Sequence, residues 1–248
     1  TDRIVGLKIA DSQKTALFEQ RFKTLKKPSE GKIATQIEHP NVVKTYEYGI
    51  GTDKRNYLVM EYLKGSGLHA MIYDRDSMLE GKRLELIRQF AQALGAVHDA
   101  GFIHRDVCPR NFIAAPDCSS LKLIDFGLTL PDEPPFHQPG NRTGTPFYMA
   151  PEIVRRRKTD KRVDIFAMGV SFYQLLTFEL PWPSTDASGL AALSHDTLEP
   201  TPILEYKPKL HPKLAEAIMV CMSVNPNDRP NSMGKFLQMI SGVESVTV

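Results

Sequence analysis

The chain has 248 residues, of which 42% are hydrophobic and 24% charged, enough apolar side chain to bury one large core or two joined ones and so to exclude a disordered tail. Its 31 basic and 29 acidic residues leave a formal charge of +2, too even a balance to draw the whole molecule onto nucleic acid or an anionic membrane. Three cysteines, Cys108, Cys118 and Cys221, form no C-x-x-C pair, which fits neither a disulfide framework nor a thiolate zinc site and points to a reducing, cytoplasmic setting. The longest uncharged stretch, Ile165 to Phe178, falls short of the roughly 18 residues that suggest a bilayer span, so it reads as a buried helix with no membrane contact.

The first element, Ile4 to Ala10, is an apolar run broken by Lys8, the pattern of a strand that carries one functional charge. Thr15 to Leu25 is a candidate helix. Pro28-Ser29 opens another that runs through Ile33 and Ile37, with proline preset for a first turn and serine placed to cap it. Val42 to Tyr48 and Asn56 to Glu61 are rich in branched and aromatic residues and flank a Gly49-Ile50-Gly51-Thr52-Asp53 turn, which predicts a hairpin.

After Gly65-Ser66-Gly67 the period changes. Leu84, Ile87, Phe90, Ala91, Leu94 and Val97 recur at three- and four-residue steps, the stripe of an amphipathic helix. Ile113 and Leu121 to Ile124 read as short strands and the proline-rich stretch from Pro131 to Pro139 as a loop. Val163 to Thr177, Leu190 to His195, Pro212 to Met222 and Ser232 to Ile240 are predicted helices.

The motifs sit in this second part. His104-Arg105-Asp106-Val107-Cys108-Pro109-Arg110-Asn111 is followed by Asp125-Phe126-Gly127 and then by Gly144-Thr145-Pro146-Phe147-Tyr148-Met149-Ala150-Pro151-Glu152. Asp164 in Asp164-Ile165-Phe166-Ala167-Met168-Gly169 and Arg229 in Asn227-Asp228-Arg229-Pro230 complete the series. In residue type and order these segments resemble the protein-kinase superfamily, and the large-lobe sequence looks like its bacterial branch. The resemblance implies an α+β, bilobal kinase-like fold forming one domain. A small β-rich N-lobe over residues 1–63 ends in the hinge, a larger, mainly helical C-lobe spans 64–248, and ATP lies between them.

Phosphoryl transfer needs an aligned hydroxyl, neutralised phosphate charge and little covalent help. By resemblance, Asp106 orients the acceptor hydroxyl and takes its proton, Asn111 and Asp125 hold Mg2+ through oxygen atoms, and Lys8 contacts the phosphates of ATP, with Gly6 where alanine is usual. Glu30 is the expected partner of Lys8, from its spacing to His39-Pro40-Asn41, with Glu19 as the alternative. Gly31 beside it weakens a helix by about 1 kcal/mol relative to alanine. Glu61-Tyr62-Leu63 resembles the hinge whose backbone takes the adenine edge, behind Met60. Thr145 marks the serine/threonine class and joins the catalytic set, and Glu152 and Arg229 form the structural ion pair of the large lobe.

Two departures stand out. The glycine-rich loop expected upstream of Lys8 is absent, so the N-lobe reads as truncated, and neither Gly49-x-Gly51 nor Gly65-x-Gly67 replaces it. Cys108 occupies the place of a lysine that touches the transferring phosphate, and Arg110, two residues on, is the cation that can stand in for it. Arg105 suggests control by a phosphate on Thr143 or Thr129, or else a contact with Asp132 or Glu133. Cys108 is also a candidate redox switch, its thiolate favoured by Arg105 and Arg110. The basic run Arg155-Arg156-Arg157-Lys158 with Lys161-Arg162 reads as a solvated face rather than a docking site.

The function expected is ATP-dependent phosphorylation of serine or threonine in protein substrates, with autophosphorylation through self-association. The alternatives are a pseudokinase acting as a scaffold, or a partner domain that docks through its large lobe.

Overall fold

The computed structural model describes residues 3–11, 13, 18–140, 142–182 and 191–247. Three antiparallel strands, β1 (Val5–Ile9), β2 (Thr45–Ile50) and β3 (Asn56–Glu61), form a sheet in the order β1-β3-β2. Period-two alternation turns Val5, Leu7 and Ile9 outward and leaves Gly6 and Lys8 half-buried, opposite Met60 and Leu58 of β3. The β2–β3 turn comes later than predicted. Gly51 donates to the Arg55 carbonyl at 2.9 Å, Lys54 adopts φ +63, and Asp53 accepts from the Arg55 amide at 3.0 Å, so the turn uses the asparagine-like talent of Asp53 and β2 runs through Gly49-Ile50.

Val42 and Val43 belong to neither hairpin strand. Val42 bridges in parallel to Leu123 and Val43 donates to the Leu123 carbonyl at 2.8 Å, which ties the sheet to the helical part. Helix α1 (Glu30–Ala34) is capped by Ser29 on the Lys32 amide and is shorter than predicted, because Thr35 bonds back to the Gly31 carbonyl and ends it before Ile37. Gly31 is needed for packing. A Cβ there would lie 2.3 Å from Cγ of Tyr48, so glycine lets α1 cross β2 at contact distance.

Of the predicted helix from Thr15 to Leu25, residues 14–17 lie outside the described residues. Residues 18–20 are helical, and the chain then turns into a 3-10 segment at Lys23–Leu25. Phe18 and Phe22 pack there against Phe136.

Helices α2 (Leu68–Tyr73), α3 (Arg83–Asp99), α4 (Pro151–Val154), α5 (Arg162–Thr177), α6 (Ile203–Tyr206), α7 (Pro212–Cys221) and α8 (Met233–Met239) build the larger part. Strands β4 (Ser66–Gly67), β6 (Phe112–Ala114) and β7 (Leu121–Leu123) form a second sheet, and β5 (Phe102–Ile103) pairs with β8 (Leu130–Pro131). The stretch read as a proline-rich loop thus begins in a strand and continues through a 3-10 turn, Pro134–Phe136. Leu190 lies outside the described residues, and Ala191–Asp196 is 3-10 rather than α-helical.

The core is continuous. Leu86, Ile87, Phe90, Leu94 and Val97 of α3 are buried with Phe166 and Phe172 of α5, and Phe90 stacks on Phe112 at 3.6 Å. The uncharged run is the body of α5, buried on nearly every side, which is why it lacks a polar stripe.

Arg229 and Glu152 form a buried bidentate pair at 2.7 and 2.9 Å. The remaining guanidinium N–H groups donate to the carbonyls of Ser223, Arg162 and Val224, so no donor is left unpaired. Breaking a buried pair by removing one partner leaves an uncompensated charge. Arg229→Met is therefore expected to destabilise the fold by about 3–5 kcal/mol in thermal or urea unfolding, and a loss below about 1 kcal/mol would contradict this reading.

Candidate active site

Asp164 of α5, fully buried, organises the first loop. It accepts the His104 amide at 2.7 Å, the Arg105 amide at 2.8 Å and His98 Nε2 at 2.9 Å. Burial pushes its carboxyl up, yet the His98 bond and charge, His104 and the Arg105 amide outweigh that and hold it below the usual carboxylate range. The two amide bonds fix Arg105 at φ +70, a left-handed turn that is costly for a non-glycine residue. His104 is buried and its Nε2 meets the Asp125 carbonyl at 2.5 Å, which joins this loop to the Asp125-Phe126-Gly127 turn.

Asp106 follows that turn. Its Oδ1 accepts from both the amide and the hydroxyl of Thr145 at 2.8 Å, and Asn111 Nδ2 donates to its carbonyl at 2.7 Å and its Oδ2 at 3.2 Å. Gly144 makes the approach of Thr145 possible. It sits at φ +117, and a Cβ there would lie 2.8 Å from the Arg105 carbonyl.

Lys8 joins the two parts of the fold. Its Nζ lies 2.6 Å from Glu30 Oε1 and 2.9 Å from Asp125 Oδ1, and the Gly127 amide donates to the same Asp125 oxygen at 2.8 Å. Glu30, not Glu19, is thus the partner brought to Lys8; Glu19 is exposed and its charge reaches Lys27 instead. Burial alone would lower the Lys8 ammonium, but the charges of Asp125 and Glu30 raise it above the ordinary lysine value. Asp125 is depressed by Lys8 and by the Gly127 amide, against the upward push of burial.

The donor set fits a shared metal site. Asn111 spends Nδ2 on Asp106, which leaves Oδ1 for a cation, and Asp125 supplies a carboxylate. Among the described residues no three His, Cys, Asp or Glu side chains gather into a cage. Two protein oxygens completed by phosphate and water are what magnesium takes.

Gly6 lets Met60 pack closely on β1, since a Cβ would lie 3.1 Å from Met60 Cγ. Met60 and Leu63 are half-buried against the core. Glu61 donates its amide to the Lys44 carbonyl at 2.9 Å, and its side chain takes the Lys44 amide at 2.8 Å and Lys122 Nζ at 2.6 Å, which fixes the start of the segment read as the hinge. Sequence reasoning missed Lys122. Its only signal is an outward position between two buried leucines in β7.

The remaining expectations are met in some places and corrected in others. Cys108 is buried, 3.6 Å from the Thr145 hydroxyl, and burial with the charge of Asp106 pushes its thiol up, so the arginines do not make it a thiolate. Arg110 is exposed and hydrogen-bonds to no described residue through its side chain. Thr129 is fully buried against the His104 carbonyl, whereas Arg105 Nη2 lies 3.4 Å from Thr143 Oγ1. Asp132 pairs with His137 at 2.7 Å rather than with Arg105. In the basic run, Arg155 is held by Asp196 and Arg162 by Asp160.

Comparison with known sequences agrees with this geometry. The chain belongs to the protein kinase domain family, whose sequence model matches residues 1–239. It is similar to the serine/threonine-protein kinase pkn3 of Myxococcus xanthus, 33% identical over 98% of this chain and 46% of that protein. It is also similar to the serine/threonine-protein kinase Pkn1 of the same organism, 34% identical over 84% of this chain and 30% of the relative. The human hormonally up-regulated neu tumor-associated kinase is 33% identical over 73% of this chain and 25% of its own length. The chain therefore spans less than half the length of these relatives. No helix among the described residues is long and apolar enough to cross a membrane.

With a raised pKa, the Cys108 thiolate forms only at more alkaline pH than an ordinary cysteine. Iodoacetamide near neutral pH is expected to leave all three buried cysteines unmodified in the folded protein and to label all three after denaturation, as read by mass spectrometry. Rapid native labelling of Cys108 would contradict its placement.

Proposed function

We propose that this chain is the catalytic domain of a protein serine/threonine kinase that uses ATP with Mg2+, acts in the cytoplasm and phosphorylates protein substrates. The observation that carries the reading is the paired geometry at the cleft: Lys8 held between Glu30 and Asp125, and Asp106 held by Thr145 and Asn111. Bound at Asn111 and Asp125, the magnesium ions would neutralise phosphate charge.

The chain's own groups do the rest. Lys8, kept charged and fixed by two carboxylates, offers its ammonium to the nucleotide phosphates. The backbone at Glu61 and Leu63 takes the adenine edge. Asp106, aimed by Thr145 and Asn111, orients the acceptor hydroxyl and receives its proton as the hydroxyl oxygen bonds to the γ-phosphorus, the phosphorus bond to the leaving oxygen breaks and ADP departs. The serine/threonine assignment draws support from the Thr145 hydroxyl on Asp106, a contact that a residue without a hydroxyl cannot make.

Cys108 supplies no positive charge to the transferring phosphate, and we assign that work to Arg110, which lies in the same loop with an exposed side chain that no described residue holds by a hydrogen bond. Removing one preorganised donor elsewhere costs about 100 to 1000-fold in kcat, so Arg110→Ala is expected to lower kcat by about 100-fold with little change in nucleotide affinity. An unchanged kcat would remove the assignment.

Thr143, beside Arg105 and a cavity of about 240 Å3 that Arg21 also lines, is the favoured site of autophosphorylation between two copies of the chain. Phosphate mapping should find it modified in active protein and unmodified in Asp106→Asn. The reading as a whole is tested by magnesium-dependent transfer of labelled γ-phosphate to a generic protein acceptor. Phosphoserine or phosphothreonine that disappears in Asp106→Asn is expected. ATP binding without any transfer would favour the pseudokinase.

A further inference from the structure

Away from the cleft, three cations from three elements converge on one aromatic ring. Arg75 follows α2, Arg83 opens α3, Lys207 follows α6, and Phe178 caps the end of α5. Arg75 Cζ, Arg83 Cζ and Lys207 Nζ lie 5.6, 4.8 and 5.8 Å from the Phe178 centroid.

Phe178 holds an unfavourable backbone to present that ring. It sits at φ +68, a position where helices favour glycine and where a side chain costs about 1–2 kcal/mol. A ring face attracts cations one at a time but does not cancel their mutual repulsion. Carboxylate compensation is incomplete. Glu179 pairs with Arg75 at 2.8 Å in an exposed contact, while Lys207 has no ion pair among the described residues. The Arg83 Nε is buried without a hydrogen-bond partner, and Glu80 only partly offsets the burial that lowers its pKa.

Exposed apolar side chains flank the cluster: Tyr73 at 81%, Leu204 at 45% and Tyr206 at 41%. Arginine and tyrosine together are the composition of energetic centres in protein interfaces. Helix α2 also packs on the Pro109–Asn111 turn, which places the cluster one helix away from the catalytic loop.

We propose that Arg75, Arg83 and Lys207 around Phe178 bind a carboxylate-rich segment of the protein substrate, away from the residue that is phosphorylated. This rests on the kinase reading for its purpose, though not for its chemistry. The carboxylates pair with Lys207 and with the accessible part of the half-buried Arg83 guanidinium, and apolar neighbours in the same segment cover Tyr73 and Tyr206.

The test is a fluorescence-anisotropy titration of a labelled hexaglutamate peptide against wild type, Lys207→Gln and Arg83→Gln, with thermal unfolding as the check on folding. Binding that weakens with salt and falls by about tenfold in each variant is expected, the value of one hydrogen bond to a charged group. Lys207, half-buried at the end of a short helix, keeps the test decisive if Arg83→Gln does not fold. Equal affinity in wild type and Lys207→Gln overturns the proposal, as does a site that takes inorganic phosphate but not the peptide.

A second arm compares KM for one acceptor peptide with and without an attached glutamate block. A block that lowers KM in wild type and not in Lys207→Gln is expected, and a KM blind to the block overturns the substrate role. If neither acceptor peptide is phosphorylated, the kinase reading fails by itself, while anisotropy still reports whether the cluster holds carboxylates.

Discussion

The Lys8 ammonium, shared between Glu30 and Asp125, is the interaction on which the site depends. It joins three segments that are 22 and 117 positions apart in the chain. A lone lysine that is half-buried in β1 would pay a desolvation cost with nothing in return. With two carboxylates in contact its charge is favoured, and their attraction grows because the pocket is partly screened from water. The same contacts, with the Gly127 amide, fix the Asp125 carboxylate beside the Lys8 ammonium. Position and charge are therefore set by one small ionic cluster.

A second carboxylate works from beneath. Asp164 is buried in α5 and holds the amides of His104 and Arg105, so the strained turn at Arg105 is maintained by a long, packed helix rather than by the loop itself. Asp106 inherits that rigidity, and Gly144 permits Thr145 to close on it. Farther out, Arg229 and Glu152 lock α4 to the segment before α8 with every donor satisfied. The order is consistent: buried pairs hold loops, and loops hold the exposed chemical groups.

Much of this was legible in the sequence because the protein kinase domain family carries particular residue types in a fixed order. Asp106, Asn111 and Asp125 could be named from their motifs, and the spacing to Pro40 chose Glu30 over Glu19. The long helices α3 and α5 followed from a sustained period and from an uncharged run. Helices α2, α4 and α6 were missed because four to six residues give too little periodicity to register. The end of α1 was misjudged because Thr35 folds back on the Gly31 carbonyl, a local competition that a hydrophobic pattern does not show. Gly31 looked like a weakness in a helix and proved to be the contact with Tyr48. Burial was the least legible property. Nothing in the sequence around Cys108 or Thr129 distinguishes a reactive group from a packed one, and both are packed.

The account's central claim, that Lys8, Asn111 and Asp125 form a site for metal-bound ATP, is tested most directly by calorimetric titration of ATP with and without magnesium. Wild-type protein should bind ATP more tightly when magnesium is present, and Asp125→Asn should lose that dependence. Equal affinity with and without magnesium in the wild type would contradict the claim.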